Sequence, residues 1–184
     1  MENPNLYIVT GGPGAGKTTV LAELERRGFP YLPEVARQLI QEQMQLGQNA
    51  LPWGDRDWYA KLMLDRSIAS FREHSPASGI TFCDRGIPDT LCYLRLIGKD
   101  DAEAMAASAI YRYASKVFLA PAWRAIYATD AERKQSYEEA VRTCELMASV
   151  YEECGYEVVE LPLCSPEERA EFILGHIASR PPGR

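Results

Sequence analysis

Long apolar runs, paired cysteines, histidine clusters and an excess of positive charge are all missing from this chain. No stretch approaches the roughly 20 apolar residues needed to cross a bilayer, so no membrane span is expected. The N-terminus, Met1-Glu2-Asn3-Pro4, lacks the basic region and apolar stretch of an export signal. Cys83, Cys92, Cys144, Cys154 and Cys164 include no C-x-x-C pair and no spacing that suggests zinc. Their odd number, in a chain long enough to fold around an apolar core, fits reduced thiols and a cytoplasmic location. The lone histidines, His74 and His176, have no evident catalytic partners. A formal net charge of −6 repels polyanions and disfavours a nucleic-acid partner. There are no repeats, no low-complexity tracts and no linker. The expectation is one domain over residues 1–184, with 179–184 as a frayed tail.

What is present is a regular alternation of short apolar runs and amphipathic stretches. Leu6-Tyr7-Ile8-Val9 reads as a buried strand that ends in glycines. A helix over Thr18 to Arg27 follows, with Val20, Leu21 and Leu24 on one face and Gly28 as its stop. Phe29 to Leu32 reads as a second strand, and Pro33 fits the first turn of a helix running to about Leu46. A helix over Asp55 to Glu73 has Trp58, Leu62 and Ile68 among its core candidates. Ile80 to Cys83, Lys116 to Leu119 and Glu157 to Leu161 supply three more strands. Helices are expected over 88–97, 101–113 and 132–154. A last one over 166–178 is opened by Ser165 and Glu168, a capping box. Five strands alternating with helices predict an α/β, three-layer α/β/α domain with a five-stranded, mainly parallel sheet.

Gly11-Gly12-Pro13-Gly14-Ala15-Gly16-Lys17-Thr18 matches G-x-x-x-x-G-K-[ST] in full, between a strand and a helix. Polyphosphate has to be ringed by backbone N–H groups, so the chain must curl tightly, and glycine permits that. The loop feeds a helix N-terminus, whose free N–H groups and positive dipole end attract anions. Gly12, Pro13, Gly14, Ala15 and Gly16 therefore form a predicted cradle for ATP, or for GTP. Lys17 reaches the β- and γ-phosphates, Thr18 offers its hydroxyl to Mg²⁺, and Thr19 lies near the α-phosphate. The plainer reading, a glycine-rich turn that caps a helix, requires a chance match expected in about one chain in a hundred. A dinucleotide-binding loop is excluded, because G-x-G-x-x-G needs glycine where Lys17 or Thr19 stands.

Ile80 to Cys83 delivers Asp84 to the C-terminal end of a strand, where ligands of open α/β sheets sit. A carboxylate there can hold a Mg²⁺ water or take a proton from an attacking hydroxyl; the alternative is a cap on the next helix. Arg85 can clamp a phosphate or form a surface pair. Asp89 can orient an acceptor hydroxyl or simply favour a helix first turn. For Trp53, Trp58 and Tyr59, packing is favoured over ring stacking with a ligand.

Taken together, TGGPGAGKTT, PEVAR after the second strand and FCDRGIPDT resemble the small P-loop kinases, above all the NadR-type, nicotinamide-riboside-kinase-like AAA domain family. The resemblance covers nearly the whole chain. It implies that the helix after strand two borders an acceptor pocket, where Glu34 and Arg37 would bind the acceptor; a local Glu–Arg pair on a solvated helix face is the alternative. It also implies a lid over about 120–134, where Arg133, rather than Arg124, would stabilise charge on the transferring phosphoryl group.

The predicted function is a Mg²⁺-dependent phosphotransferase. ATP or GTP would give its γ-phosphoryl group to a small hydroxyl-bearing acceptor, with Lys17, Asp84 and Arg133 as catalytic residues. Glu34, Arg37, Arg85 and Asp89 would face the acceptor. The alternative is a nucleotide-dependent switch or NTPase that binds a protein or lipid partner and modifies no metabolite. The two differ in one respect: a kinase needs a pocket beyond the γ-phosphate.

Overall fold

The computed structural model describes residues 1–75, 79–126 and 136–178. Strand β1 (Leu6–Gly11) is buried at all six positions, as a strand apolar on both faces must be. It lies at the centre of a sheet that also contains β2 (Tyr31–Leu32), β3 (Thr81–Asp84), β4 (Lys116–Ala120) and β5 (Glu157–Glu160). The order is β2-β3-β1-β4-β5. Each of the four pairings is parallel, so the sheet is all parallel rather than mainly so. In register, Val9 stands opposite both Asp84 and Phe118, and Gly11 opposite Ala120. The C-terminal ends of β1 and β4 are thereby level, while β3 ends at Asp84 opposite Val9, two residues before the phosphate loop leaves the sheet at Gly11.

The period of two along the strands divides the core. Tyr7 and Val9 join Phe82 and Phe118 under Val20, Leu21 and Leu24 of α1 (Lys17–Arg26) and under Ile173 and Ile177 of α7 (Pro166–Ala178). Leu6 and Ile8, with Cys83, Val117 and Leu119, face the other layer. That layer is built from α3 (Arg56–His74), α4 (Ile87–Leu96), α5 (Ala102–Ile110) and α6 (Tyr137–Glu153). Val20, Leu21 and Leu24 are fully buried, worth about 1.5–3 kcal/mol each on burial. A smaller cluster of Leu39, Ala50, Tyr59 and Met63 packs α2 (Val35–Gln45) against α3.

Three expectations need correction. The sixth helix begins at Tyr137 rather than at 132, because Ser136 is extended (φ −71°, ψ 163°) and accepts from the Glu139 amide as an N-cap. Pro33 precedes the N-cap of α2 instead of opening its first turn. Trp58 is 42% exposed, since the buried face of α3 is carried by Tyr59, Met63, Leu64 and Phe71. Gly11 shows why glycine ends β1: its φ is +141°, and a Cβ there would lie 2.3 Å from the Ala120 carbonyl oxygen.

Candidate functional site

The phosphate loop turns through left-handed backbone at Gly14 (φ +76°) and Gly16 (φ +82°), conformations costly to residues with a Cβ. It ends at Lys17, the first residue of α1. The Lys17 side chain is 7% exposed and its Nζ folds back to donate to the carbonyls of Gly11 and Gly12, at 2.9 and 3.0 Å. Burial, helped by the Arg85 charge, lowers its pKa to about 8, against the opposing pull of Asp84, Glu34 and Asp89. Thr18 is exposed, whereas the Thr19 hydroxyl donates to the Gly16 carbonyl at 2.8 Å.

Asp84 ends β3 with 8% exposure, and its Oδ1 is buried without a hydrogen-bond partner. Burial raises its pKa, against the lowering effect of Lys17. An orphaned carboxylate oxygen is costly unless something else satisfies it. Mg²⁺ with its waters suits such a carboxylate, and the exposed Thr18 hydroxyl is a second oxygen donor of the kind Mg²⁺ takes.

Asp89 has a different surrounding. Its Oδ1 accepts from Thr10 Oγ1 (2.6 Å) and Arg85 Nη1 (2.9 Å), and its Oδ2 from the Gly86 amide (2.8 Å) and the Tyr151 hydroxyl (2.5 Å). Its lone pairs are thus spent inside the protein. Thr10 and Tyr151, both fully buried, carry no motif that reveals this link. Arg85, at φ +72°, is the sole non-glycine residue with positive φ among the described residues. Its Nε also reaches Glu34 Oε1 at 2.8 Å. The burial of Arg85 alone would lower its pKa, but Glu34, Asp89 and Asp84 outweigh it and raise it. The burial of Glu34 is likewise outweighed, chiefly by Arg85 and then by Lys17, and its pKa falls. Glu34 therefore pairs with Arg85 and not with Arg37.

Arg169 of α7 is 2% exposed. It donates from Nη1 to the Ala15 carbonyl (2.9 Å) and from Nε to the Pro162 carbonyl (2.8 Å). Its guanidinium lies 5.1 Å from the centre of the Trp123 ring, and its Nη2 is buried without a partner. Sequence reasoning missed this residue. Arg124 turns away from the loop, with its guanidinium 5.1 Å from the Tyr137 ring centre and 3.9 Å from Glu138. Arg133 lies outside the described residues.

A cleft of about 1310 Å³ joins the phosphate loop, the Glu34–Arg85 pair and Arg169, while Asp84 and Asp89 line a smaller pocket that also includes Glu34 and Arg85. The phosphate loop forms the floor of the cleft. Trp123, Ile126, Arg169 and the segment Cys164-Ser165-Pro166 line one end, and Glu34, Arg37, Trp53, Arg56, Tyr59 and Arg85 line the other.

An AAA domain family profile matches residues 6–169. The chain belongs to this family. No curated protein matches the sequence. Among solved structures, NadR in complex with NR aligns at 21% identity and TM-score 0.69, over 98% of this chain and 52% of NadR. A complex of NadR with NAD and AMP-PNP gives 21% and 0.68, over 98% and 51%. This chain thus spans about half of the NadR chain. Shikimate kinase from Acinetobacter baumannii, in complex with shikimate, aligns at 20% identity and TM-score 0.59, over 96% of this chain and 94% of that one. The AAA domain described here has the P-loop kinase-like fold of these proteins.

The depressed Lys17 of this AAA domain yields a measurable prediction. Polyphosphate beside Lys17 stabilises its charged form and raises its pKa again. Above pH 8 nucleotide binding then takes up a proton, and affinity weakens as pH rises through 8. Calorimetry at pH 8.5 in buffers of different ionisation enthalpy should show uptake approaching one proton per nucleotide. Uptake that persists in Lys17→Met would assign the proton to another group.

Proposed function

We propose that this protein is a Mg²⁺-dependent phosphotransferase that moves the γ-phosphoryl group of ATP to a small hydroxyl-bearing acceptor. The observation that carries the proposal is the reach of the cleft. It runs past the phosphate loop and Lys17 to a further wall on α2 and α3. A switch needs no such wall; an acceptor does. The kinase-like fold supports the reading.

In this scheme the loop amides and Lys17 hold the β- and γ-phosphates. Thr18 and Asp84 would hold Mg²⁺, which neutralises charge between those phosphates. Asp84 accepts the proton of the attacking hydroxyl directly or through a water. Asp89 keeps Arg85 and Glu34 in place along the path to the acceptor. At the other end, the Trp123 face and the free Nη2 of Arg169 suit a nucleobase. Arg133, outside the described residues, is proposed to stabilise charge on the transferring phosphoryl group.

The test is to incubate the protein with Mg-ATP and a pool of nucleosides, vitamins and cell metabolites. Mass spectrometry then seeks any compound that gains one phosphoryl group. The expected product disappears with Lys17→Ala. Nucleotide binding or slow hydrolysis without any product would favour a switch.

A further inference from the structure

We infer that the acceptor carries an oxyanion, a carboxylate or phosphate, in addition to the hydroxyl it presents for transfer. The inference rests on the kinase reading above and names the acceptor's chemical class. Among the described residues that line the cleft, Lys17, Arg37, Arg56, Arg85 and Arg169 are cationic and Glu34 alone is anionic. This concentration stands out in a chain of net charge −6.

Most of the positive charge is already committed. Lys17 belongs to the phosphate loop. Arg169 lies at the opposite end, bonded to Ala15 and Pro162. Arg85 is neutralised by Glu34 and Asp89 at 2.8 and 2.9 Å, and that contact occupies the wall's sole carboxylate. Arg37 on α2 and Arg56 at the start of α3 remain. Neither forms an ion pair among the described residues; Arg56 donates from Nε to the Pro52 carbonyl at 3.1 Å. Both line the cleft and leave guanidinium N–H groups available. A fork of that kind matches a carboxylate or phosphate in pairs of hydrogen bonds.

A further observation points the same way. Trp53 is 60% exposed while lining this wall, a position suited to the flat or apolar face of a small molecule. A cationic acceptor would meet two unpaired arginines and no free carboxylate on the wall, and a neutral one would leave both unused.

A cell extract separated by ion exchange into anionic, neutral and cationic fractions tests this, with nicotinamide riboside added as a cationic probe. Each fraction is incubated with Mg-ATP, and the phosphorylated product is identified by mass. The anionic fraction should yield it. With the product's parent as substrate, Arg37→Ala and Arg56→Ala should each raise the acceptor KM about tenfold and leave the KM for ATP within twofold. Phosphorylation of a neutral or cationic compound, with acceptor KM unchanged in both variants, would overturn the inference and leave the kinase reading standing. A rise confined to the KM for ATP would assign the arginines to the nucleotide and also overturn it. No product from any fraction would remove the kinase reading on which it rests.

Discussion

Asp84→Asn is expected to lower phosphoryl transfer about a thousandfold without lowering the melting temperature. The loss follows from the two tasks proposed for the carboxylate, general base and Mg²⁺ holder, and a positioned base alone contributes about 10²–10⁴-fold. The absence of a stability penalty follows from the site itself. Asp84 Oδ1 is buried and unsatisfied, so the native protein carries a desolvated charge with little in return. A neutral amide of the same size relieves that cost, and the melting temperature should hold or rise. Nucleotide affinity in the absence of Mg²⁺ should change by no more than a few-fold, since the loop amides and Lys17 remain. Single-turnover kinetics beside a thermal melt would decide. A variant that retains more than a tenth of the rate would exclude Asp84 as base or metal ligand.

Arg169→Ala should have the opposite profile, with a large loss of stability and of nucleotide affinity together. The guanidinium joins the Ala15 carbonyl of the phosphate loop to the Pro162 carbonyl after β5, and hydrogen bonds from a charged donor are worth about 1.5–3 kcal/mol each. Its removal also vacates the space against Trp123. A cost of about 3 kcal/mol would lower the melting temperature by roughly 10 °C in a domain of this size. Affinity should fall at least tenfold, because the loop loses its outer support. Arg169→Lys should not rescue either effect, since one ammonium cannot reproduce the planar fork and the aromatic contact. Melting and equilibrium titration with ATP check both; an unchanged melting temperature would show that the tether bears little of the fold.

The contrast between these residues marks where the sequence is readable. Asp84 announces itself because a β-branched and aromatic run delivers it to a strand end. The loop from Gly11 to Thr18 does so because its chemistry is contained in consecutive residues. The start of α7 at Pro166 follows from a capping box that closes within four residues. Arg169 gives no such sign: on the chain it is an ordinary helix residue, and its partner Ala15 lies 154 positions away. Glu34 and Arg37 share a helix face, yet Glu34 turns to Arg85, 51 positions on, because the sheet order sets β2 beside β3. Trp53 and Trp58 look like core residues, but the small cluster between α2 and α3 is already filled by Tyr59 with Leu39 and Met63. Local grammar reveals elements and motifs; pairings made by topology have to be seen.

The four donors around Asp89 come from pieces of chain far apart in order: Thr10 lies 79 positions before it and Tyr151 lies 62 after. During synthesis the phosphate loop and α1 leave the ribosome early, while the helix bearing Tyr151 emerges near the end. Until it arrives, the Asp89 carboxylate lacks one of its four donors. Arg169, which ties the phosphate loop through Ala15, emerges later still, so neither the phosphate grip nor the wall beside it is complete until nearly the whole described fold has closed.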